Sequence, residues 1–354
     1  MNALEARARE VLPRAVYDYY AGGADDEDTV AANRAAWGEI RFRPRVLVDV
    51  SSPDPSIELL GTVLPSPVAV APTAFHRLAH ADGERATARG AGGRLMIASS
   101  LSTVPIDEIV AAASGPVWLQ LYVFRERALS EGLVRRAEAA GCSGLCLTVD
   151  VPVAGNRERD AHNRFTLPDG IEIANFAGLV QDSMPEGEGS GLVRYIGTQF
   201  DPALDWSAVS WLRGLTDLPL ILKGIQNPDD GRRAVEAGVD ALVVSNHGGR
   251  QLDGAEATAR ILPDVVAAVE GRLPVLVDGG LRRGGDVARA LALGARGVLL
   301  GRPVLWGLAT GGAEGVGGVL DRFDEEFVRT LALLGARRPS ELGPEALAPF
   351  RRPV

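Results

Sequence analysis

The chain has 354 residues, 46% hydrophobic and 23% charged, which is ordinary globular usage and enough to bury a large core in one α/β domain or two smaller ones. A formal net charge of −9 lacks the basic footprint that a phosphate backbone requires, so nucleic acid is excluded as a partner. The two cysteines, Cys142 and Cys146, are too few for a metal site and read as core thiols; no run approaches the ~18 apolar residues of a membrane span and no basic-then-apolar leader opens the chain, so a soluble cytoplasmic protein is expected.

In chain order, residues 4–23 show apolar spacing consistent with helices that would pack against the body of the domain. Eight short apolar runs come next, at 68–71, 95–98, 117–122, 145–148, 220–223, 241–245, 275–278 and 298–301. Their ends are separated by 27, 24, 26, 75, 22, 33 and 23 residues, and most of these gaps fit one strand, one helix and two short loops. Helix-like stretches lie between them at 83–92, 129–140, 228–237 and 286–293, several followed by a glycine that can end a helix. Near-continuous Val, Leu, Ile and Ala runs suit a parallel sheet covered on both faces. The expectation is a single domain, 1–354, built as a (β/α)8 TIM barrel over about 65–310, with an N-terminal helical segment and an enlarged loop after strand four at about 151–208. A doubly wound open sheet is the alternative, although the first run leads into Ala71-Pro72-Thr73-Ala74 rather than a glycine-rich dinucleotide turn. Residues 320–334 read as a helix, and the tail after Gly335 as a loosely ordered end.

A barrel places its chemistry at the carboxyl ends of the strands. Those ends carry Pro72 and Thr73, Ser99 and Ser100, Gln120 and Tyr122, Thr148 and Asp150, Lys223, Ser245 and His247, Asp278-Gly279-Gly280, and Gly301-Arg302. The decamer from Ser245 to Gly254 joins a histidine, which can take a proton near neutral pH, to Arg250, whose planar fork fits a carboxylate, with two glycines between them. A helix-capping loop with a buried histidine is the alternative for that segment. After strand seven, glycines, Arg282 and a helix start suit a phosphate, with Arg302 after strand eight; arginines on a solvated rim would look the same. In the enlarged loop, the Gly-, Glu- and Ser-rich stretch 181–191 is expected to be a mobile lid.

From Leu12-Pro13-Arg14 through Gly301-Arg302-Pro303-Val304, and above all in Ser245-Asn246-His247-Gly248-Gly249-Arg250-Gln251-Leu252-Asp253, the chain resembles the FMN-dependent L-2-hydroxy acid oxidases and dehydrogenases, a group that includes glycolate oxidase, lactate oxidase, mandelate dehydrogenase and hydroxymandelate oxidase. The resemblance implies that His247 is the base, that Asp150 steadies its imidazolium, and that Arg157 and Arg250 hold the substrate carboxylate. It implies that Tyr19 and Tyr122 are hydroxyl partners of the carboxylate and the reacting oxygen, and that Lys223 lies beside the N1 and O2 side of the flavin. Pro72, Thr73, Ala74, Ser99, Gln120, Thr148 and Ser245 would line the isoalloxazine and ribityl chain. Asp278, Gly279, Gly280 and Arg282, with Gly301 and Arg302, would hold ribityl and phosphate groups. No metal is implied.

The implied reaction passes two electrons from R-CH(OH)-COO⁻ to FMN while His247 takes a proton, giving a 2-keto acid. Relatives that use a membrane acceptor carry an apolar membrane-binding insertion after strand four, whereas 171–191 here contains acidic and polar residues and no such segment, so O2 is expected as acceptor and H2O2 as product. Where the glycolate and lactate oxidases have an aromatic residue after strand two, this chain has Leu101; with Ala74 and Ala154 this suggests a pocket widened for L-mandelate or 4-hydroxymandelate. Lactate or another aliphatic 2-hydroxy acid comes next, then a dehydrogenase with a non-oxygen acceptor, a barrel isomerase of a diphosphate, or a flavin-binding regulatory protein. The family also implies a homo-oligomer, a tetramer or octamer.

Overall fold

A computed structural model describes residues 1–177 and 189–349. Eight parallel strands close into a barrel: β1 (Val68–Val70), β2 (Met96–Ser99), β3 (Val117–Leu121), β4 (Gly144–Thr148), β5 (Leu220–Ile225), β6 (Ala241–Val244), β7 (Val275–Val277) and β8 (Gly297–Leu300), with β8 paired to β1. All eight expected runs are strands, and the open-sheet alternative is excluded by that closing pair.

Alternation along the strands sorts the barrel into an inside and an outside. Outward residues such as Val70, Ala98, Leu119, Leu147, Leu222, Val244, Val277 and Leu300 belong to one large core with the surrounding helices. Inward residues, Ala69, Ile97, Trp118, Cys146, Ile221, Val243, Leu276 and Leu299, form a separate core inside the barrel. Trp118 fits because β4 presents Gly144 opposite it, where a Cβ would come within 2.7 Å of the indole. Both cysteines are buried, and burial pushes each thiol up to about 12, in keeping with a packing role.

The amino end of the barrel is stopped by an antiparallel hairpin, Ile57–Leu59 with Thr62–Leu64, that turns through Leu60 and Gly61 at positive φ. Its Ile57, Leu59 and Leu64 side chains join the interior core. One more step of the same inward register reaches Ser99, Gln120, Thr148, Lys223, Ser245 and Asp278, so the top layer of the barrel is polar.

The N-terminal segment forms helices Asn2–Val11 and Arg14–Ala21, as expected, and a third, Asp28–Glu39. The described part of the enlarged loop carries helices Glu158–His162 and Gly191–Gln199 and a 3-10 turn at Ala174–Phe176 before helix Ser207–Arg213. Asn175 ties that turn down, accepting from the Ile106 amide (3.0 Å) and donating to the Ser100 carbonyl (3.2 Å). Of the expected lid stretch 181–191, residues 181–188 lie outside the described residues.

The helix expected at 320–334 is the second half of Arg302–Leu334, which is broken at Gly311 and Gly312. The tail differs from expectation. Leu342 and Leu347 are buried, and residues 346–348 pair with 41–43, because the tail has its own apolar side chains to bury. Among the described residues, no helix is long and apolar enough to cross a membrane.

Candidate active site

His247 follows β6 at φ 56, and Gly248 and Gly249 continue in the left-handed region at φ 66 and 77. A side chain at Gly249 would come within 2.8 Å of the Val30 backbone, so bare backbone lets the N-terminal segment pack onto the loop. The imidazole Nδ1 lies 2.9 Å from Asp150 Oδ1, which leaves Nε2 for another partner. Burial holds His247 below its ordinary pKa although Asp150 pulls it up, with Lys223 and Arg157 adding to the depression, so the ring is a neutral base near neutral pH. Burial alone would raise the Asp150 pKa, but His247 and Lys223 override it and keep the carboxylate ionised.

Beside that pair, Lys223 Nζ lies 3.1 Å from Asp278 Oδ2 and donates to Ser245 Oγ at 3.0 Å. Desolvation would lower its pKa, yet Asp278 and Asp150 raise it above the ordinary value, so a fixed ammonium stands at the barrel top. Asp278 Oδ1 and Asp150 Oδ2 are buried without a hydrogen-bond partner among the described residues. Behind this layer Gln120 donates to Thr148 Oγ1 (3.0 Å) and accepts from Ser99 Oγ (3.2 Å), linking three adjacent strands.

The arginines lie differently. Arg157 is buried and reaches Asp160 only at 3.9 Å; burial, then Arg250, lowers its pKa to about 10. Arg250 donates to the Tyr19 carbonyl (2.6 Å) and the Gly22 carbonyl (2.9 Å) and stacks over the Tyr19 ring. Arg302 spends three donors on the carbonyls of Tyr20, Gly248 and Gly22, and burial followed by Arg250 and Arg282 lowers its pKa well below the usual value. Arg282 is lowered to about 10 by burial and by Arg34. Among the described residues, none of Arg250, Arg282 and Arg302 forms an ion pair with a carboxylate. Burial raises the Tyr19 and Tyr122 pKa values, so both hydroxyls keep their protons.

These groups surround one cavity. Tyr19, Pro72, Thr73, Ala74, Ser99, Leu101, Tyr122, Arg157, Lys223, His247, Arg250, Asp278, Gly279, Gly280, Arg282, Gly301 and Arg302 all line it. Asp150, Gln120 and Ser245 stand behind the wall, bonded to the lining residues His247, Ser99 and Lys223, and Thr148 stands behind it bonded to Gln120. Ala154 does not line the cavity, so it does not contribute the room expected of it. Among the lining residues that sequence reasoning did not assign to the site are Val151, Leu192, Ile196 and Phe200. The signal for the last three was the apolar spacing 192, 196, 200 inside the enlarged loop.

The capping alternative for the decamer is also partly true. Asp253 accepts from the amides of Asp28 (3.2 Å) and Thr29 (2.8 Å), at the start of helix Asp28–Glu39. Asn246 exchanges two amide bonds with Asn33, and Gln251 donates to the carbonyls of Asp150 and Val153 (each 2.9 Å), holding the backbone that carries Asp150. Only the fold reveals these contacts.

The cavity fits FMN in its charge pattern. Arg282 and the start of helix Arg302–Leu334 both line it, a guanidinium and a positive helix end that suit a phosphate. The orphaned Asp278 Oδ1 suits hydroxyl donors of a ribityl chain.

The family model described as FMN-dependent dehydrogenase matches residues 8–349. The L-lactate oxidase of Nostoc sp. is 48% identical over 345 residues, 96% of this chain and 94% of that protein. The glycolate oxidase of Spinacia oleracea is 45% identical over 350 residues, 98% of this chain and 95% of that protein. A crystal structure of mandelate oxidase with (S)-4-hydroxymandelic acid superposes with a TM-score of 0.94 at 43% identity, covering 98% of this chain and 97% of the other. Likeness extends over nearly the whole length in both sequence and architecture, and the chain belongs to the FMN-dependent dehydrogenase family, with FMN as its cofactor.

Proposed function

We propose that the protein oxidises an L-2-hydroxy acid with an aryl or branched side chain to the 2-keto acid, and that O2 restores the flavin and yields H2O2. The observation that carries this is the convergence in one cavity of a neutral base, His247, with buried guanidiniums that lack a close carboxylate partner. Arg157 and Arg250 bind the substrate carboxylate and thereby orient the carbon that bears the hydroxyl. Tyr122 and Tyr19 hydrogen-bond the hydroxyl and carboxylate oxygens. His247 accepts the proton at Nε2, and Asp150 stabilises the imidazolium through Nδ1. FMN supplies the acceptor for the two electrons. Lys223 places positive charge where negative charge develops. Pro72, Thr73, Ala74, Ser99, Gln120, Thr148 and Ser245 support the ring and ribityl chain, and Asp278, Gly279, Gly280, Arg282, Gly301 and Arg302 hold ribityl and phosphate.

Side-chain preference follows from the apolar wall made by Leu101, Val151, Leu192, Ile196 and Phe200, which rewards a large apolar substituent and leaves a gap beside a small one. The named relatives divide between small and aromatic acids, glycolate and lactate against 4-hydroxymandelate. A cytoplasmic, homo-oligomeric protein completes the proposal, the association supported by the exposed apolar run Val46, Leu47 and Val48.

The test is anaerobic titration with L-mandelate followed by air. The flavin band should bleach and then recover with H2O2, and kcat/KM for mandelate should exceed that for glycolate by about tenfold or more. Bleaching without rapid recovery would make another acceptor the partner, no bleaching by any 2-hydroxy acid would overturn the role of His247, and preference for glycolate would overturn the apolar-wall argument.

A further inference from the structure

Beneath the loop that follows β1 lies a buried polar cluster to which the catalytic steps assign nothing. His76 is 1% exposed, with Nε2 2.6 Å from Thr73 Oγ1 and Nδ1 2.9 Å from Thr87 Oγ1. Its amide donates to Glu84 Oε1 at 3.1 Å. Glu84, also fully buried, accepts in addition from the Thr103 amide (2.9 Å) and hydroxyl (2.7 Å), so one carboxylate ties the loop after β1 to the loop after β2.

The first loop presents Thr73 and Ala74 to the cavity, and the end of β2 with the second loop presents Ser99 and Leu101. Between Thr73 and His76 the chain passes through Phe75 at φ 63, a conformation that disfavours a bulky residue and persists only where its surroundings impose it. The constraint is visible: Tyr20 Oη donates to the Phe75 carbonyl at 2.6 Å, and His76 is held by both its amide and its ring.

A neutral imidazole donates once and accepts once. The hydroxyls of Thr73 and Thr87 must therefore take opposite roles toward the ring, and the orientation of one fixes that of the other. Thr73 lines the cavity while Thr87 lies on the helix Gly83–Gly90, so His76 connects a helix of the outer layer to the cavity wall.

We propose that His76 is a positioning residue: through the Thr73 hydroxyl it fixes the Pro72-Thr73-Ala74 wall against which the flavin ring rests. This deepens the proposed cofactor placement and depends on it. The experiment measures FMN release from the full-length holoenzyme, with the visible circular dichroism of the bound flavin, for His76→Leu, His76→Gln, Thr73→Val and the double variant His76→Leu with Thr73→Val.

His76→Leu and Thr73→Val should each release FMN about fivefold to tenfold faster and change the flavin dichroism, the size expected for loss of one buried hydrogen bond. The double variant should be no faster than Thr73→Val alone, because both act through one contact. His76→Gln, whose amide can still bond Thr73, should stay within about twofold of the parent. A folded His76→Leu with parental release and dichroism, or additive single effects, overturns the role of His76. If His76→Leu does not fold, Thr87→Val removes only the hydroxyl that steadies Nδ1: faster release supports the proposal and parental release overturns it. Thr73→Val without effect would instead overturn the placement of the flavin against this loop.

Discussion

Around His247 and Lys223 each basic group meets a carboxylate of the protein itself, Asp150 at 2.9 Å and Asp278 at 3.1 Å. Around Arg157, Arg250, Arg282 and Arg302 the guanidiniums meet backbone carbonyls and one another, and Asp160 approaches Arg157 only at 3.9 Å. The first region carries its counter-charges before any ligand arrives. In the second, desolvation and mutual repulsion are offset when anions bind, which suits a substrate carboxylate and a cofactor phosphate. A protein that moves a proton needs its base oriented in advance, whereas a protein that captures anions can leave part of their electrostatic complement to the ligand.

The largest expected effect breaks the prepared region. His247→Gln should lower kcat by roughly 10²–10⁴-fold while FMN stays bound, as followed by turnover and by the flavin spectrum; a variant with near-parental kcat would remove His247 from proton transfer. In the anion region, Arg157→Leu should raise KM for the hydroxy acid by about 10- to 100-fold, the value of a charge-assisted bond. An Arg250→Lys variant should raise KM too and also lower Tm, because Arg250 holds the Tyr19 and Gly22 carbonyls. Equal Tm for the two arginine variants would contradict that distinction.

Next in size, flavin-free protein should gain a few degrees of Tm in about 10 mM inorganic phosphate, since an anion that binds only the folded state stabilises it, and Arg282→Gln should abolish most of the gain. The smallest effect is a displacement of the pH profile. His247 titrates below 6.5 because burial disfavours its charged form, so kcat/KM should hold as pH falls to that value and decline only below it, as the base becomes protonated. Asp150 is the group that raises this pKa, so Asp150→Asn should move the acid limb to still lower pH as well as slowing turnover; a limb that moves upward would reverse the assigned electrostatics.

Strand existence was legible because short apolar runs of regular spacing have few other uses, and the residues at their ends lie at the cavity or directly behind its wall because the inward register of a barrel continues into its top layer. The enlarged loop was less legible. Leu192, Ile196 and Phe200 look like any buried helix face, and only packing shows that they face a cavity rather than a core. The decamer was read for its base and its arginine, and its amides and Asp253 proved to hold the N-terminal segment and the loop after β4. Such bonds join residues about 100 to 220 positions apart, and no local pattern encodes that distance.

By itself, the sequence determined the barrel and marked the candidate base His247, the arginines and the glycine-rich turns, because each depends on residue type and short-range periodicity. Tertiary structure alone decided which charges are paired, which guanidiniums are spent on carbonyls, that Asp150 stands behind the cavity wall, and that His76 links an outer helix to it. Those properties arise from desolvation and from contacts between distant segments, and both exist only once the chain has closed around the cavity.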